Sequence, residues 1–256
     1  MKLTVLVENI ASGRLKAEWG LSYLIESDET ILFDTGASDL FLKNAELLRV
    51  DFELVQKVLL SHGHWDHGTG LQYLENKKIY AHTNIFMERF SGKRSIGLPF
   101  SREFLESKNQ LILDDQPQKI SDNIIFLGEI PRKSKLKNAG GQFTDSEGNF
   151  DNVPDDSAIV VIENGAINII TGCAHAGLIN TVDYAVKVSG IKKINSVIGG
   201  FHLLGNDEIT TETIKYLKDK KVKKVYPSHC NQFPALTEFY AAFHSQPLRS
   251  GDILTL

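Results

Sequence analysis

Apolar positions along the chain come in short, nearly continuous runs with no long amphipathic period. Residues 3–7, 22–25 and 31–33 are rich in β-formers and are separated by polar or glycine-bearing turns, so they read as the first strands of a sheet. Asp34-Thr35-Gly36 closes the third of them. Ser38 then reads as a helix N-cap, and Leu40, Phe41, Ala45, Leu47 and Leu48 give a rough helical stripe. The run 55–60 predicts a buried strand, 70–75 a short helix, and 78–81 a further strand ending in His82. Later, 157–162 and 166–170 form a hairpin around Glu163-Asn164-Gly165. A helix follows to about Ser189, then a strand over 194–198, a helix over 207–219, a strand over 222–226, a helix over 234–243 and a closing strand over 253–256.

Strands alternating with helices predict an α/β layered protein. No fixed repeat of about 20–50 residues divides the chain. No linker divides it either, so 1–256 reads as one domain. A coarser pattern recurs: an apolar strand ending in histidine, at 58–62, 79–82, 197–202 and 225–229. The stretch 83–154 breaks the rhythm. Phe86, Phe90, Phe100 and Phe104 fall at loosely helical spacing, 111–113 and 124–127 are short strand candidates, and 131–152 is polar and glycine-bearing. It reads as an insertion carrying a long loop or hairpin on the substrate side, a lid over the site.

The chemistry concentrates after the 55–60 strand, in Ser61-His62-Gly63-His64-Trp65-Asp66-His67-Gly68. The chain has 8 histidines, and three of them stand in this window beside a carboxylate, which a chance polar turn does not explain. Neutral imidazole and carboxylate are the ligand set for zinc-like or iron/manganese-like cations. Gly63 and Gly68 read as sites of tight backbone turning.

One strand-end loop cannot enclose a metal, so further ligands must come from later in the chain. His175 follows a strand in a small-residue turn. His229 follows the 222–226 strand. His202 follows two glycines, which permit close approach of backbone or substrate, and it reads equally as a metal-site or as a substrate or proton-transfer residue. His82 reads as pocket wall and His244 as a surface histidine.

His62-x-His64-x-Asp66-His67 resembles the signature of the metallo-β-lactamase superfamily, with Asp34 in Leu32-Phe33-Asp34-Thr35-Gly36 similar to its first motif and His229 in Tyr226-Pro227-Ser228-His229 to its last. The resemblance implies a four-layer αβ/βα sandwich of two mixed sheets flanked by helices, with the site at one sheet edge. It implies that His62, His64, Asp66, His67, His175 and His229 bind one or two divalent metals, most readily zinc, with iron or manganese as alternatives. Asp34 would hold a ligand histidine or position the loop.

Two departures stand out. The superfamily's bridging Thr-Gly-Asp appears here as Thr171-Gly172-Cys173, so Cys173 or His175 takes that role, and His175 reads as the ligand. The histidine expected before the hairpin is missing; Asp156, in Pro154-Asp155-Asp156-Ser157, is either a ligand or an exposed turn carboxylate.

Closer likeness is to the dihydropteridine-ribofuranosylaminobenzene-phosphate synthase-like branch. It is carried by Glu8-Asn9, Gly20-Leu21-Ser22, Gly128-Glu129-Ile130-Pro131-Arg132, Gly172 to Gly177, Gly199-Gly200-Phe201-His202-Leu203 and Pro227-Ser228-His229-Cys230. Three functions follow as expectations. One is a metal-dependent hydrolase of a small, phosphorylated substrate, with Asp66 and His202 catalytic and Arg132 and His82 on the substrate. The second is a transferase joining a dihydropterin pyrophosphate to ribofuranosylaminobenzene 5'-phosphate. The third is a metal-binding sensor without catalysis. Arg132, Lys133, Lys135 and Lys137 put four cations in six residues, a candidate phosphate clamp.

Composition narrows the partners. With 42% hydrophobic and 23% charged residues the chain is an ordinary globular protein, and a net charge of −4 gives no basic field for nucleic acid. Only Cys173 and Cys230 occur, which cannot form a disulfide framework. No run approaches the roughly 20 apolar residues of a membrane helix, and the first eight residues do not read as a signal peptide. A cytoplasmic protein with a small-molecule partner and no membrane partner is the expectation. Motifs for serine hydrolase, P-loop and dinucleotide chemistry are absent.

Overall fold

The computed structural model describes residues 1–134 and 142–256. Lys135 and Lys137 of the basic cluster lie outside them. The chain is α/β with mixed sheets, and it forms two compact units interleaved along the sequence. The first comprises Met1–Asp115, Gln142–Asp155 and Arg249–Thr255; the second comprises Gln116–Gly141, Asp156–Leu248 and Leu256.

The first unit carries a seven-stranded sheet. From one edge its order is Ile253–Thr255, Lys2–Val7, Ser22–Glu26, Thr30–Phe33, Lys57–Leu59, Lys78–Ala81, Gln110–Leu113. Pairing is antiparallel up to Thr30–Phe33 and parallel beyond it. The helix Leu40–Leu47 buries Leu40, Phe41 and Ala45 into a core shared with Leu6, Val58, Ile79 and Ile85. Leu47, part of the expected stripe, is exposed. Asp39 rather than Ser38 occupies the N-cap, although the Ser38 hydroxyl accepts the Leu40 amide.

The second unit has a six-stranded sheet, ordered Lys224–Pro227, Ile194–Gly199, Ala166–Thr171, Ala158–Glu163, Ile124–Phe126, Gln118–Lys119. Its first three strands are parallel and the rest antiparallel. Helices Leu178–Ser189, Glu208–Asp219 and Phe233–Phe243 complete a separate core around Val182, Val197, Phe201, Leu217 and Phe239.

Parallel strands in register bring their carboxyl ends to one edge, and this is where α/β sheets gather functional loops. In the first unit those ends lead into Asp34, into Ser61-His62 and into His82. In the second they lead into Cys173 to His175, into His202 and into Ser228-His229. The recurrence of histidine after apolar strands is therefore a spatial convergence within each unit.

Several local expectations differ from the structure. The short helix expected over 70–75 is a 3₁₀ helix over Thr69–Tyr73. The Phe86 to Phe104 spacing does not make one helix: Phe90 starts a two-residue strand and Phe104 lies in the single turn Arg102–Glu106. Its period arose from aromatic side chains of separate elements. The stretch 83–154 is divided between the units, supplying Gln110–Leu113 to one sheet and Ile124–Phe126 to the other. Phe143–Thr144 pairs with Phe90–Ser91, which pairs with Arg94–Ser95, so part of the expected loop is a small three-stranded sheet.

Candidate functional site

In the first unit, Leu59 ends its strand and the chain passes through Ser61 to His62, His64 and the helical turn Trp65–Gly68. Asp66 and His67 therefore sit on a helical turn, not on an irregular loop. His62, His64, Asp66 and His67 are all buried. The rings of His62 and His64 lie 4.5 Å apart, and those of His62 and His67 4.3 Å apart.

Asp34, fully buried at φ +57°, organises this cluster from beneath. Its Oδ1 accepts the Ser61 amide at 2.7 Å. Its Oδ2 accepts the Ser61 hydroxyl at 2.7 Å and faces His67 Nδ1 at 2.7 Å. A carboxylate only accepts, so His67 carries its proton on Nδ1 and its lone pair on Nε2. Ser61 spends its only proton on Asp34. Its Oγ, 2.9 Å from His62 Nδ1, must then accept, which also leaves the His62 lone pair on Nε2.

His62 Nε2 stands 2.9 Å from His64 Nδ1. By the tautomer just derived, Nε2 accepts from His64 Nδ1–H. Two ligands at about 2.05 Å on a tetrahedral metal lie roughly 3.3 Å apart, so the two nitrogens stand near ligand spacing and a metal would take the place of that shared proton. A buried carboxylate that fixes ring tautomers is the arrangement that supports metal-ligating histidine. The donor set thus fits a divalent metal.

Gly63 and Gly68 serve closeness rather than turning, since neither has positive φ. A Cβ on Gly63 would lie 1.9 Å from the Ile85 carbonyl oxygen, and one on Gly68 2.4 Å from Leu98. The Gly63 amide donates to Asp155 Oδ2 at 2.7 Å. Asp155 is held in turn by Arg89, a guanidinium with no solvent exposure. Burial disfavours the Arg89 charge, but Asp155 and Asp151 more than offset that and raise its pKa above the ordinary value. None of Arg89, Asp151 and Asp155 is marked in the sequence; a charge in the 83–154 stretch looks solvated until its partners are known. Phe143, also unmarked, sets its ring 5.0 Å from His64, and Arg94 stacks 4.8 Å over Trp65. His82 is buried and its Nδ1 accepts the Asn84 amide at 3.1 Å.

In the second unit, the His175 and His202 rings lie 4.6 Å apart. His202 and His229 both adopt left-handed backbone, at φ +51° and +54°, as does Ala174 at +53°. Non-glycine residues avoid this region, and such strain gathers where surrounding structure dictates side-chain direction. Gly199 and Gly200 permit close approach of neighbouring backbone: a Cβ would meet Thr171 O at 2.1 Å or Gly172 O at 2.3 Å. Cys173 and Cys230 are buried and not joined in a disulfide, and the His202 amide donates to Cys230 Sγ at 3.3 Å.

Asp156 is not an exposed turn carboxylate. It is fully buried and accepts the Ala176 amide at 2.8 Å, because a carboxylate is a strong acceptor for a loop amide that strand pairing leaves over. Arg132 is half-buried, and the two residues after it are anchored: Lys133 and Ser134 amides both donate to Asn180 Oδ1, at 2.9 and 2.8 Å. Asn180 Nδ2 donates to the carbonyl of Ala176, next to His175.

Comparison with known proteins agrees with this chemistry. Residues 20–128 match the model of the metallo-beta-lactamase superfamily. An uncharacterized protein of Methanocaldococcus jannaschii is 36% identical over 245 residues, covering 92% of this chain and 93% of the relative. The 7,8-dihydropterin-6-methyl-4-(beta-D-ribofuranosyl)-aminobenzene-5'-phosphate synthase of the same organism is 32% identical over 282 residues, covering 99% and 96%. A crystal structure of a metal-dependent hydrolase of the beta-lactamase superfamily is similar at TM-score 0.90 and 30% identity, covering 100% of this chain and 99% of the other.

Proposed function

The chain belongs to the metallo-β-lactamase superfamily, and on that premise we propose that it is a metal-dependent hydrolase of a small, phosphorylated substrate. The observation that supports the reading is the Asp34–Ser61 network, which puts the ring protons of His62 and His67 on Nδ1 and their lone pairs on Nε2. The proposed metal ligands are His62, His64, Asp66 and His67, together with His175 and His229. When bound, a divalent metal lowers the pKa of a bound water toward about 7 and polarises a phosphoester. Asp34 and Ser61 hold the ligand tautomers. Asp66, the one carboxylate within the histidine motif, orients or takes the proton of the attacking water. His202 serves proton transfer or substrate binding, and His82 forms pocket wall. Among the described residues no helix is long and apolar enough to cross a membrane, and the proposed partner is a small molecule.

A second reading, transfer rather than hydrolysis, is favoured by the 32% identity to the named synthase over 99% of this chain. In that reading a metal held by the same residues would supply charge stabilisation for the diphosphate leaving a dihydropterin substrate.

Metal analysis and an assay panel separate these readings. The purified protein should carry between about one and two equivalents of a transition metal, with zinc first among them. Turnover of phosphoesters alone supports the hydrolase. Product only when the dihydropterin pyrophosphate and ribofuranosylaminobenzene phosphate are supplied together supports the transferase. No bound metal after growth in several metals removes the basis of both.

Arg132 is the proposed phosphate contact. Its backbone is fixed by Pro131 before it and by the Asn180 anchor after it, and a guanidinium offers a planar fork to phosphate. A charge-assisted bond contributes roughly 1.5–3 kcal/mol. Arg132→Ala should therefore raise KM for a phosphorylated substrate at least about tenfold, leaving a neutral analogue little changed. Equal effects on both substrates would assign Arg132 to structure instead.

A further inference from the structure

A buried ion cluster outside the histidine motif reaches it at one point. Arg89 donates through Nη1 to Asp155 Oδ2 at 2.9 Å, through Nη2 to Asp155 Oδ1, and through Nε to Asp151 Oδ2 at 2.7 Å. Arg89 and Asp155 are fully buried, and Asp151 nearly so. Asp151 is itself locked, since its Oδ1 accepts the Val153 amide at 2.8 Å. Asp155 Oδ2 still accepts the amide of Gly63, the residue between His62 and His64.

Two further contacts make this more than a remote ion pair. The face of Gly63 that lacks a side chain packs against the Ile85 backbone, so the peptide is held from that side as well as by Asp155. The Arg89 carbonyl accepts the Ile96 amide at 2.8 Å, and the Ile96 carbonyl accepts the Trp65 amide at 3.0 Å. The segment that carries His64 is therefore held at both ends: at Gly63 by the Asp155 carboxylate that the Arg89 side chain orients, and at Trp65 by a backbone path through Ile96. The separation of His62 Nε2 from His64 Nδ1 depends on the torsions of His62, Gly63 and His64. With Gly63 and Trp65 both fixed, those torsions have little freedom left.

We propose that Arg89 and Asp155 are positioning residues that set the convergence of His62 and His64, Arg89 orienting Asp155 and Asp155 clamping the Gly63 amide. The role as a metal clamp rests on the metal-ligand reading of these histidines; the clamp on Gly63 does not. Removing one member of a buried ion cluster strands the others and endangers folding, whereas replacing all members by apolar residues of similar size is often tolerated. The principal variant is accordingly Arg89→Met/Asp151→Leu/Asp155→Leu, with Arg89→Lys as the conservative partner that keeps charge and loses the fork.

The first measurement is amide exchange in metal-free full-length protein. In the triple variant Gly63 should lose protection by about 10- to 100-fold, the loss of one charge-assisted bond, while Leu60, just past the Lys57–Leu59 strand and bonded to the Tyr80 carbonyl, and Ile79 in the next strand keep theirs. The second is zinc affinity by chelator competition, which should weaken at least about tenfold in the triple variant and less in Arg89→Lys. Unchanged Gly63 protection in a folded triple variant overturns the proposal. So does a freed Gly63 with unchanged zinc affinity. A uniform loss of protection across Gly63, Leu60 and Ile79 makes the cluster a general staple and also overturns it. If the wild-type protein binds no zinc, the functional reading fails, and Gly63 exchange alone then decides whether the clamp exists.

Discussion

Gly63→Ala is expected to be among the most damaging single-methyl additions in this protein. The new Cβ would lie 1.9 Å from the Ile85 carbonyl oxygen, 2.7 Å from its carbon and 2.9 Å from its Cα. All three atoms are backbone, and Ile85 itself is fully buried in the core of its unit, so no rotamer change relieves the overlap. Overpacking of this kind costs about 3 kcal/mol or more, which corresponds to a fall in Tm of roughly 6–12 °C in a chain of this size. The shift would also pull the Gly63 amide from Asp155 and spread His62 from His64. Gly92→Ala is the control. That glycine has φ +61° but nothing within 4 Å of the added methyl, so only left-handed strain of about 1–2 kcal/mol applies. Calorimetry on both variants tests the argument. Equal losses would show that conformational freedom, not the Ile85 contact, is what glycine provides at position 63.

Asp34→Asn should separate stability from metal affinity. Asparagine matches aspartate in size and tolerates the left-handed backbone that Asp34 adopts at φ +57°. Its Oδ1 can still accept the Ser61 amide, which places Nδ2 where Oδ2 stood, facing Ser61 Oγ and His67 Nδ1. An NH₂ donates where the carboxylate accepted, so every proton in the chain of contacts reverses. His67 Nδ1 must accept, and Ser61 Oγ now accepts from Asn and donates to His62 Nδ1. Both rings then carry their proton on Nε2, where the lone pair for a metal was. The expected result is a loss of zinc affinity at the upper end of the roughly 10- to 100-fold range for such supporting residues, with a small change in Tm. Long-range proton–nitrogen spectra of the metal-free protein should report the tautomer change directly. Unchanged ring tautomers in Asp34→Asn would mean that Asp34 does not direct them.

Local sequence determined the elements whose signal is local. The apolar runs at 3–7, 22–25, 31–33, 157–162, 166–170 and 194–198 are strands because β-rich apolar segments bounded by turns have no better way to bury themselves. The helices over 178–189, 208–219 and 233–243 lie where the chain reads as helical, Asp207 capping the second through its side chain. That histidines follow strand ends could be read along the chain as well. Tertiary structure alone decided what those ends meet. Arg89 and Asp155 are 66 residues apart, and Gly63 and Asp155 are 92 apart. A charged side chain looks solvated wherever its partner is not a sequence neighbour, since only that partner offsets the cost of burying it. For the same reason an exposed turn carboxylate stood as one of two readings of Asp156, though it is buried and accepts the Ala176 amide. The glycine between two histidines read as a turn, whereas it is an amide held by one distant carboxylate with no room for a methyl group against Ile85. Periodicity carries information over one or two turns of chain, whereas sterics and buried charge are settled by contacts that exist only once the strands are side by side.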